Sequence, residues 1–211
     1  MWRLVKLSEN SSYKTTQHLV TLAKKGDRAA LEHLCQIYGE RVHWIVRFRM
    51  GSEIRLKLDS MDVVQDAFLF ALEDLDDFNY RDEGDFLRWL SKIAENRIRD
   101  NIKKLHADKR DIRKEVLLRN LVPTTHGSLL GALGPVASTT PSLIISKREE
   151  LSKLERAIDE LRPEYREVII LKKIEELSYK EISNRLGKST DAVGMLISRA
   201  MIALIEAFEK I

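Results

Sequence analysis

The chain contains a single cysteine, Cys35, among 211 residues. That excludes a disulfide framework and any zinc site built on cysteine pairs, and it fits a reducing compartment. No stretch approaches the ~18–20 apolar residues of a membrane span. The first ten residues, Met1 to Asn10, lack the apolar core of a signal peptide, so a cytoplasmic protein is expected. No run of alternating apolar residues is long enough for a sheet. The five histidines (His18, His33, His43, His106, His126) have no ligand spacing, and Asp74-x-Asp76-Asp77 lacks the glycine and distal glutamate of a calcium loop. Neither a metal nor another cofactor is expected. A nucleophile–base pair and a phosphate-binding loop are also missing, which disfavours an enzyme.

Hydrophobic residues make up 44% of the chain and charged residues 33%, enough apolar material for a folded core. The length corresponds to between one and two domains. The net charge of +3 hides an uneven distribution. Residues 62–85 carry nine acids against Arg81 alone, and residues 97–114 carry eight bases against three acids. Such blocks suggest two surfaces with different partners, or pairing across a helical hairpin. Residues 120–146 carry no formal charge and hold six of the thirteen glycines and prolines, the pattern of a linker. Its apolar content, with Leu129, Leu130, Leu133 and Val136, is unusual in a solvated spacer.

The spacing of apolar residues predicts helices over 27–50, 60–75 and 85–105, on stripes such as Val64, Ala67, Phe68, Ala71, Leu72 and Leu75. Beyond the linker it predicts helices over 147–161 and 164–175, the latter started by Pro163. Two shorter helices follow, Ser178 to Leu186 and Ser189 to about Glu209, separated by Gly187. Ser178 and Glu181 have capping-box spacing, and Gly187 suits a left-handed turn. Two short helices joined by a glycine turn are the signature of a helix-turn-helix. The expected fold is all-α: two small helical domains, 15–115 and 147–211, joined by a flexible linker at 116–146.

Three surfaces stand out. In the helix-turn-helix, Ile182 and Leu186 are expected to pack on Val193 and Ile197 and present Ser189, Thr190 and Asp191, with Tyr179, Lys180 and Lys188 placed to clamp phosphates. On the helix over 60–75, Asp62, Gln65, Asp66, Leu69 and Glu73 recur opposite the apolar stripe, which reads as a docking face or as a solvated acidic surface. On the helix over 85–105, Asn96, Arg97, Asp100, Lys103 and Lys104 suit a nucleic-acid backbone. Phe78 and Tyr80 could stack on unpaired bases, although Phe78 and Trp89 also read as core.

In this order the pieces resemble a bacterial sigma factor of the two-domain, extracytoplasmic-function (ECF) type within the sigma-70 family. The family's acidic-x-x-Gln-acidic-x-Phe motif is matched by Asp62, Gln65, Asp66 and Phe68. Its next motif is matched by Phe86, Trp89, Leu90, Ile93, Ala94, Asn96 and Asp100. The C-terminal pattern is matched by Leu161, Pro163, Tyr165, Arg166, Val168, Leu177–Ile182, Leu186-Gly187, Val193 and Ser198-Arg199-Ala200.

The resemblance implies that Asp62, Gln65, Asp66 and Leu69 bind the clamp helices of the polymerase β′ subunit. It implies that Asn79, Tyr80 and Arg81, with Asn96, Arg97, Asp100, Lys103 and Lys104, hold the melted minus-ten element. The minus-thirty-five element falls to Arg166, Tyr179, Lys180, Lys188, Ser189, Thr190, Asp191, Gly194, Met195, Ser198 and Arg199, with the β-subunit flap and an anti-sigma factor as further partners. Gly194, Met195 and Leu196 depart from the family, many of whose members carry basic residues there. The rival readings are a helix-turn-helix regulator that binds duplex DNA without polymerase, and a helical adaptor with no DNA role.

Overall fold

The computed structural model describes residues 12–82, 84–108 and 141–211. Of the expected linker, 116–140 lies outside the described residues, as does the basic run Lys109 to Lys114. The described residues form helices throughout: α1 (Ser12–Ala23), α2 (Arg28–Arg55), α3 (Ser60–Glu73), a 3-10 turn (Leu75–Asp77), α4 (Asp85–Asp108), α5 (Pro141–Glu160), α6 (Pro163–Ile169), a π turn (Ile170–Ile174), α7 (Tyr179–Leu186) and α8 (Thr190–Lys210). They divide into two compact units, one of 12–42 with 61–108 and one of 43–60 with 141–211.

The first unit is built on the stripes read from the sequence. Ala30, Leu34, Tyr38 and Val42 of α2 are buried, as are Val64, Ala67, Phe68 and Ala71 of α3 and Phe86, Leu90, Ala94 and Ile98 of α4. Helix α1, which no motif announced, buries Leu19, Val20 and Ala23. It is tied in by the Thr16 hydroxyl, 3.0 Å from the Tyr38 phenol oxygen. Cys35 is buried in the same core, and burial, with Glu32 nearby, pushes its thiol up to about 11. It packs as a small apolar residue, with no nucleophilic character.

Phe78 is a core residue. It stacks on Trp89 at 4.7 Å between ring centroids and meets Phe86 edge-on at 5.5 Å, and Phe86 in turn packs on Tyr38 at 5.0 Å. Its buried ring is therefore taken out of any base-stacking role.

In the second unit α5, α6 and α7 all pack on α8. Helix α5 starts at Pro141, six residues ahead of the expected 147, because proline at the first helical position loses no hydrogen bond. The helix expected over 164–175 changes pitch instead of running on. After α6 the Glu175 amide bonds to the carbonyl of Ile170, closing a π turn. The extra residue turns Ile169, Ile170 and Leu171 inward consecutively, and all are buried.

Glu176 then takes a left-handed conformation, φ 57°. This lets the Leu177 amide reach the carbonyl of Leu171, and the Lys172 ammonium bonds to the carbonyl of Leu177. A non-glycine residue in that region costs about 1–2 kcal/mol. Glu176→Gly is therefore expected to stabilise the C-terminal unit by about 1 kcal/mol, read as a higher urea midpoint at unchanged slope. An unchanged or lower midpoint would show that the Glu176 side chain compensates its own strain.

Candidate nucleic-acid interface

The polar loop between the 3-10 turn and α4 is shaped by three charged side chains. The Asp85 carboxylate accepts the Arg81 amide at 2.7 Å and the Asp82 amide at 3.1 Å. The Asp82 carboxylate accepts the Gly84 amide at 2.9 Å. The Arg88 guanidinium bridges the two acids, meeting Asp85 Oδ1 at 2.8 Å and Asp82 Oδ1 besides. Burial would raise the Asp85 carboxyl, but Arg88 and the two amides outweigh it and hold the acid below its usual range. From the turn that follows α1, the Lys24 ammonium bonds to the carbonyls of Asp76 and Phe78 at 2.9 and 2.6 Å, fixing the other end of the loop. Asn79 and Arg81 stand exposed on it, and Tyr80 is half-buried.

Sequence reasoning found the loop and missed its supports. The Asp85/Arg88 spacing of three within one helix was the available signal. Lys24, more than fifty residues upstream, gave none.

On α4 the ion pairs run within the helix. Arg97 pairs with Asp100 at 2.9 Å, Lys103 approaches the same acid at 3.8 Å, and Arg99 meets Glu95 at 3.0 Å. Arg97 also lies 3.9 Å over the Phe70 ring of α3, so it bridges two helices as well as facing solvent. Lys103 and Lys104 are exposed, while Asn96 and Asp100 are half-buried. On α3, Asp62 and Leu69 are exposed, and Gln65 and Asp66 half-buried. The four share the side opposite Val63, Val64, Ala67 and Phe68, which are buried.

The helix-turn-helix is assembled from caps. The Ser178 side chain accepts the Glu181 amide while the Glu181 carboxylate accepts the Ser178 amide at 2.8 Å, the reciprocal box that starts α7. Gly187 ends α7 at φ 65°, where a side chain would be strained. The Ser189 hydroxyl then accepts the Ala192 amide at 3.2 Å and starts α8. Ile182, Val193 and Ile197 are buried between the two helices, and Leu186 is half-buried.

This leaves Thr190, Asp191, Met195, Ser198 and Arg199 exposed along the outer face of α8, with Gly194 half-buried in the same row. Tyr179, Lys180, Lys188 and Ser189 are exposed beside them. Lys188 is held by Glu164 at 2.9 Å. Arg166 stands apart from the set, with its guanidinium bonded to the carbonyls of Ile158, Asp159 and Leu161 at the end of α5. Leu196, beside Met195 in sequence, is buried while Met195 is 56% exposed, so the two do not form one apolar face.

Described residues that are helical throughout, with a capped helix-turn-helix and a polar loop leading into a basic helix, have the build of a DNA-directed transcription factor. Two sigma-70 family models match the chain, region 2 over residues 34–107 and region 4 over residues 151–204. The ECF RNA polymerase sigma-E factor of Escherichia coli K12 is 30% identical over 195 residues, covering 92% of this chain and 94% of that protein. The ECF RNA polymerase sigma factor SigW of Bacillus subtilis is 29% identical over 181 residues, covering 86% and 90%. The solved structure of CnrH in complex with the cytosolic domain of CnrY shares the fold, with a TM-score of 0.51 and 24% identity over 93% of this chain and 98% of that one. The chain belongs to the sigma-70 family and is a sigma factor of the ECF type.

The support for the loop is testable on its own. Asp85→Ala is expected to speed hydrogen exchange of the Arg81 and Asp82 amides about tenfold, at unchanged helical content. Unchanged protection would mean that the carboxylate does not hold the loop.

Proposed function

We propose that this sigma factor divides its work among the three surfaces just described. Helix α3 docks on the clamp helices of the polymerase β′ subunit through Asp62, Gln65, Asp66 and Leu69. Asn79, Tyr80 and Arg81, followed by Asn96, Arg97, Asp100, Lys103 and Lys104 of α4, take the melted minus-ten element. The helix-turn-helix reads the minus-thirty-five element through Tyr179, Lys180, Lys188, Ser189, Thr190, Asp191, Gly194, Met195, Ser198 and Arg199. In this scheme Arg166 acts from behind, by locking α5 to α6. The β-subunit flap engages the C-terminal unit, and the segment 116–146 connects the two DNA-reading parts.

The observation that carries this reading is the loop pinned by Asp82, Asp85 and Arg88. It offers exposed polar side chains on a fixed backbone directly ahead of a helix whose outer lysines suit phosphates. Preorganisation of that kind lowers the ordering cost of holding a single strand.

The proposed setting is the cytoplasm, with no chemistry performed by the chain itself. Among the described residues no helix is long and apolar enough to cross a membrane. CnrH was solved with the cytosolic domain of CnrY, and a protein partner is proposed for this chain too, an anti-sigma factor.

Two experiments test the assignment. Asp66→Arg should abolish binding to core polymerase without altering helical content, and binding at wild-type affinity would remove α3 from the docking role. On α8, a side chain added at Gly194 would meet Tyr179 Cε1 at 3.7 Å, an ordinary contact, so lysine fits there. The stretch 147–211 carries thirteen bases and thirteen acids, so its own pull on duplex DNA is weak. Gly194→Lys is therefore expected to raise affinity across sequences and to steepen the slope of log K against log salt by about one. Unchanged affinity with reduced stability would mean that this row does not face DNA.

A further inference from the structure

Helix α3 carries two aromatic residues with opposite fates. Phe68 is buried in the core, whereas Phe70 is 39% exposed. Phe70 falls four residues after Asp66 and three before Glu73, at the edge of the acidic stripe. What covers its ring is a charge. The Arg97 guanidinium of α4 stands 3.9 Å over the ring centroid, where a cation is drawn to the negative face of an aromatic.

That guanidinium is held from two sides. The Phe70 ring lies under its central carbon, and Asp100 accepts Nη2 at 2.9 Å. The Asn101 side-chain amide donates to the Arg97 carbonyl at 2.9 Å and ties down the backbone beneath. The charge is nevertheless not used up. Asp100 is shared with Lys103 at 3.8 Å, so one carboxylate faces two cations. A guanidinium has five N–H donors, and the buried Nε of Arg97 meets no acceptor among the described residues. A quarter of the side chain, 25%, still faces solvent.

We infer that Phe70 is a positioning residue for nucleic acid: its ring holds Arg97 in the orientation in which the guanidinium takes a backbone phosphate of the unpaired strand. This role rests on the proposed placement of Arg97 at the melted minus-ten element and adds Phe70 to it. A fixed cation with spare donors suits a phosphate. Arg97 and the exposed Lys104 are seven residues apart on one side of α4, about 10 Å along its axis, so two cations follow one another along the path of a strand.

The choice of an aromatic has a physical reason. An arginine free in solvent gives up several rotamers when it grips a phosphate, and one already resting on a ring gives up few. A carboxylate in place of Phe70 would hold the cation equally well but cancel its charge. A ring attracts the cation and leaves the charge available.

Two variants at position 70 separate this role from packing. Phe70→Leu keeps apolar bulk and removes the ring, while Phe70→Trp keeps a ring that binds cations at least as well. In the free chain the Arg97 side-chain proton resonances should lie upfield under the ring current of Phe70, and return to ordinary values in Phe70→Leu. Core polymerase reconstituted with the full chain is then bound to a promoter selected by it and opened by mismatches over the minus-ten block. Phe70→Leu should weaken promoter binding about three- to fivefold and make the slope of log K against log salt shallower by about 0.7, the share of one single-strand phosphate. Phe70→Trp should restore both, and neither variant should change binding to core polymerase. In an Arg97→Gln background, Phe70→Leu should cost less than about 1.5-fold more.

Wild-type Arg97 resonances at ordinary values, or a promoter affinity and salt slope untouched by Phe70→Leu, overturn the inference. So does a loss that Phe70→Trp fails to recover, one of equal size in the Arg97→Gln background, or one confined to core binding. Each of these leaves Arg97 in its minus-ten role. Arg97→Gln binding the promoter as wild type does would remove that role, and the inference with it.

Discussion

A carboxylate with no access to water must be paired where it lies, and Glu175 is such a group, its side chain entirely buried. Arg185 of α7 meets it at 3.4 Å and Arg49 at 2.7 Å. The position follows from the π turn that precedes it, which draws Ile169, Ile170 and Leu171 into the core and delivers residue 175 inward as well. The left-handed Glu176 then redirects the chain to the Ser178 cap. The start and tilt of the helix-turn-helix thus depend on one buried charge and the guanidinium groups that neutralise it. The N-terminal part of the outer face of α8 carries Thr190, Asp191, Ser198 and Arg199 with the single exposed Met195, while Val193, Leu196, Ile197 and Ala200 pack on its other side.

The first unit obeys a different constraint. Its core is mainly aliphatic and aromatic, with the buried Thr16 hydroxyl on Tyr38 tying in α1, and the densest polar control lies in one loop. There the backbone amides of Arg81, Asp82 and Gly84 have no helical partner and are taken up by Asp85 and Asp82. The result is a loop whose Arg81, Asp82 and Gly84 amides are satisfied and on which Asn79 and Arg81 stand exposed. Just below it, Phe78, Phe86 and Trp89 anchor the junction between the 3-10 turn and α4. A rigid aromatic base with a preorganised polar rim is what a protein needs in order to hold a flexible strand.

Much of this was legible from the sequence because helices advertise themselves through periodicity. The stripes of α2, α3 and α4 are buried largely as read, with Leu31, Leu72, Ile93 and Leu105 only half-buried. The capping box at Ser178 and the glycine turn at Gly187 are local chemistry, and local chemistry survives into the fold. What the sequence did not disclose is long-range or aperiodic. Arg47 and Glu155 are 108 residues apart, and Arg49 and Glu175 are 126 apart. Nothing in either neighbourhood marks them as partners among 69 charged residues, 36 basic and 33 acidic. The continuation of α2 past residue 50 to Arg55 was hidden by Gly51, which reads as a stop and acts as a bend. The π turn was missed because one inserted residue leaves the apolar pattern looking helical. Arg166 was assigned to DNA by family pattern, whereas its hydrogen bonds go to three backbone carbonyls.

The account rests on one claim: that two separate surfaces of this chain, the polar loop with α4 and the outer face of α8, read two separate DNA elements on behalf of polymerase. Selection of promoters from a randomised duplex library by core polymerase reconstituted with the chain, with the transcripts sequenced, tests it directly. The account predicts accurate initiation and two conserved blocks at fixed spacing upstream of the start site, the downstream block altered by exchanging loop 79–84 and the upstream block untouched by it. No transcription above core polymerase alone, or a single enriched block bound equally well without polymerase, would contradict it.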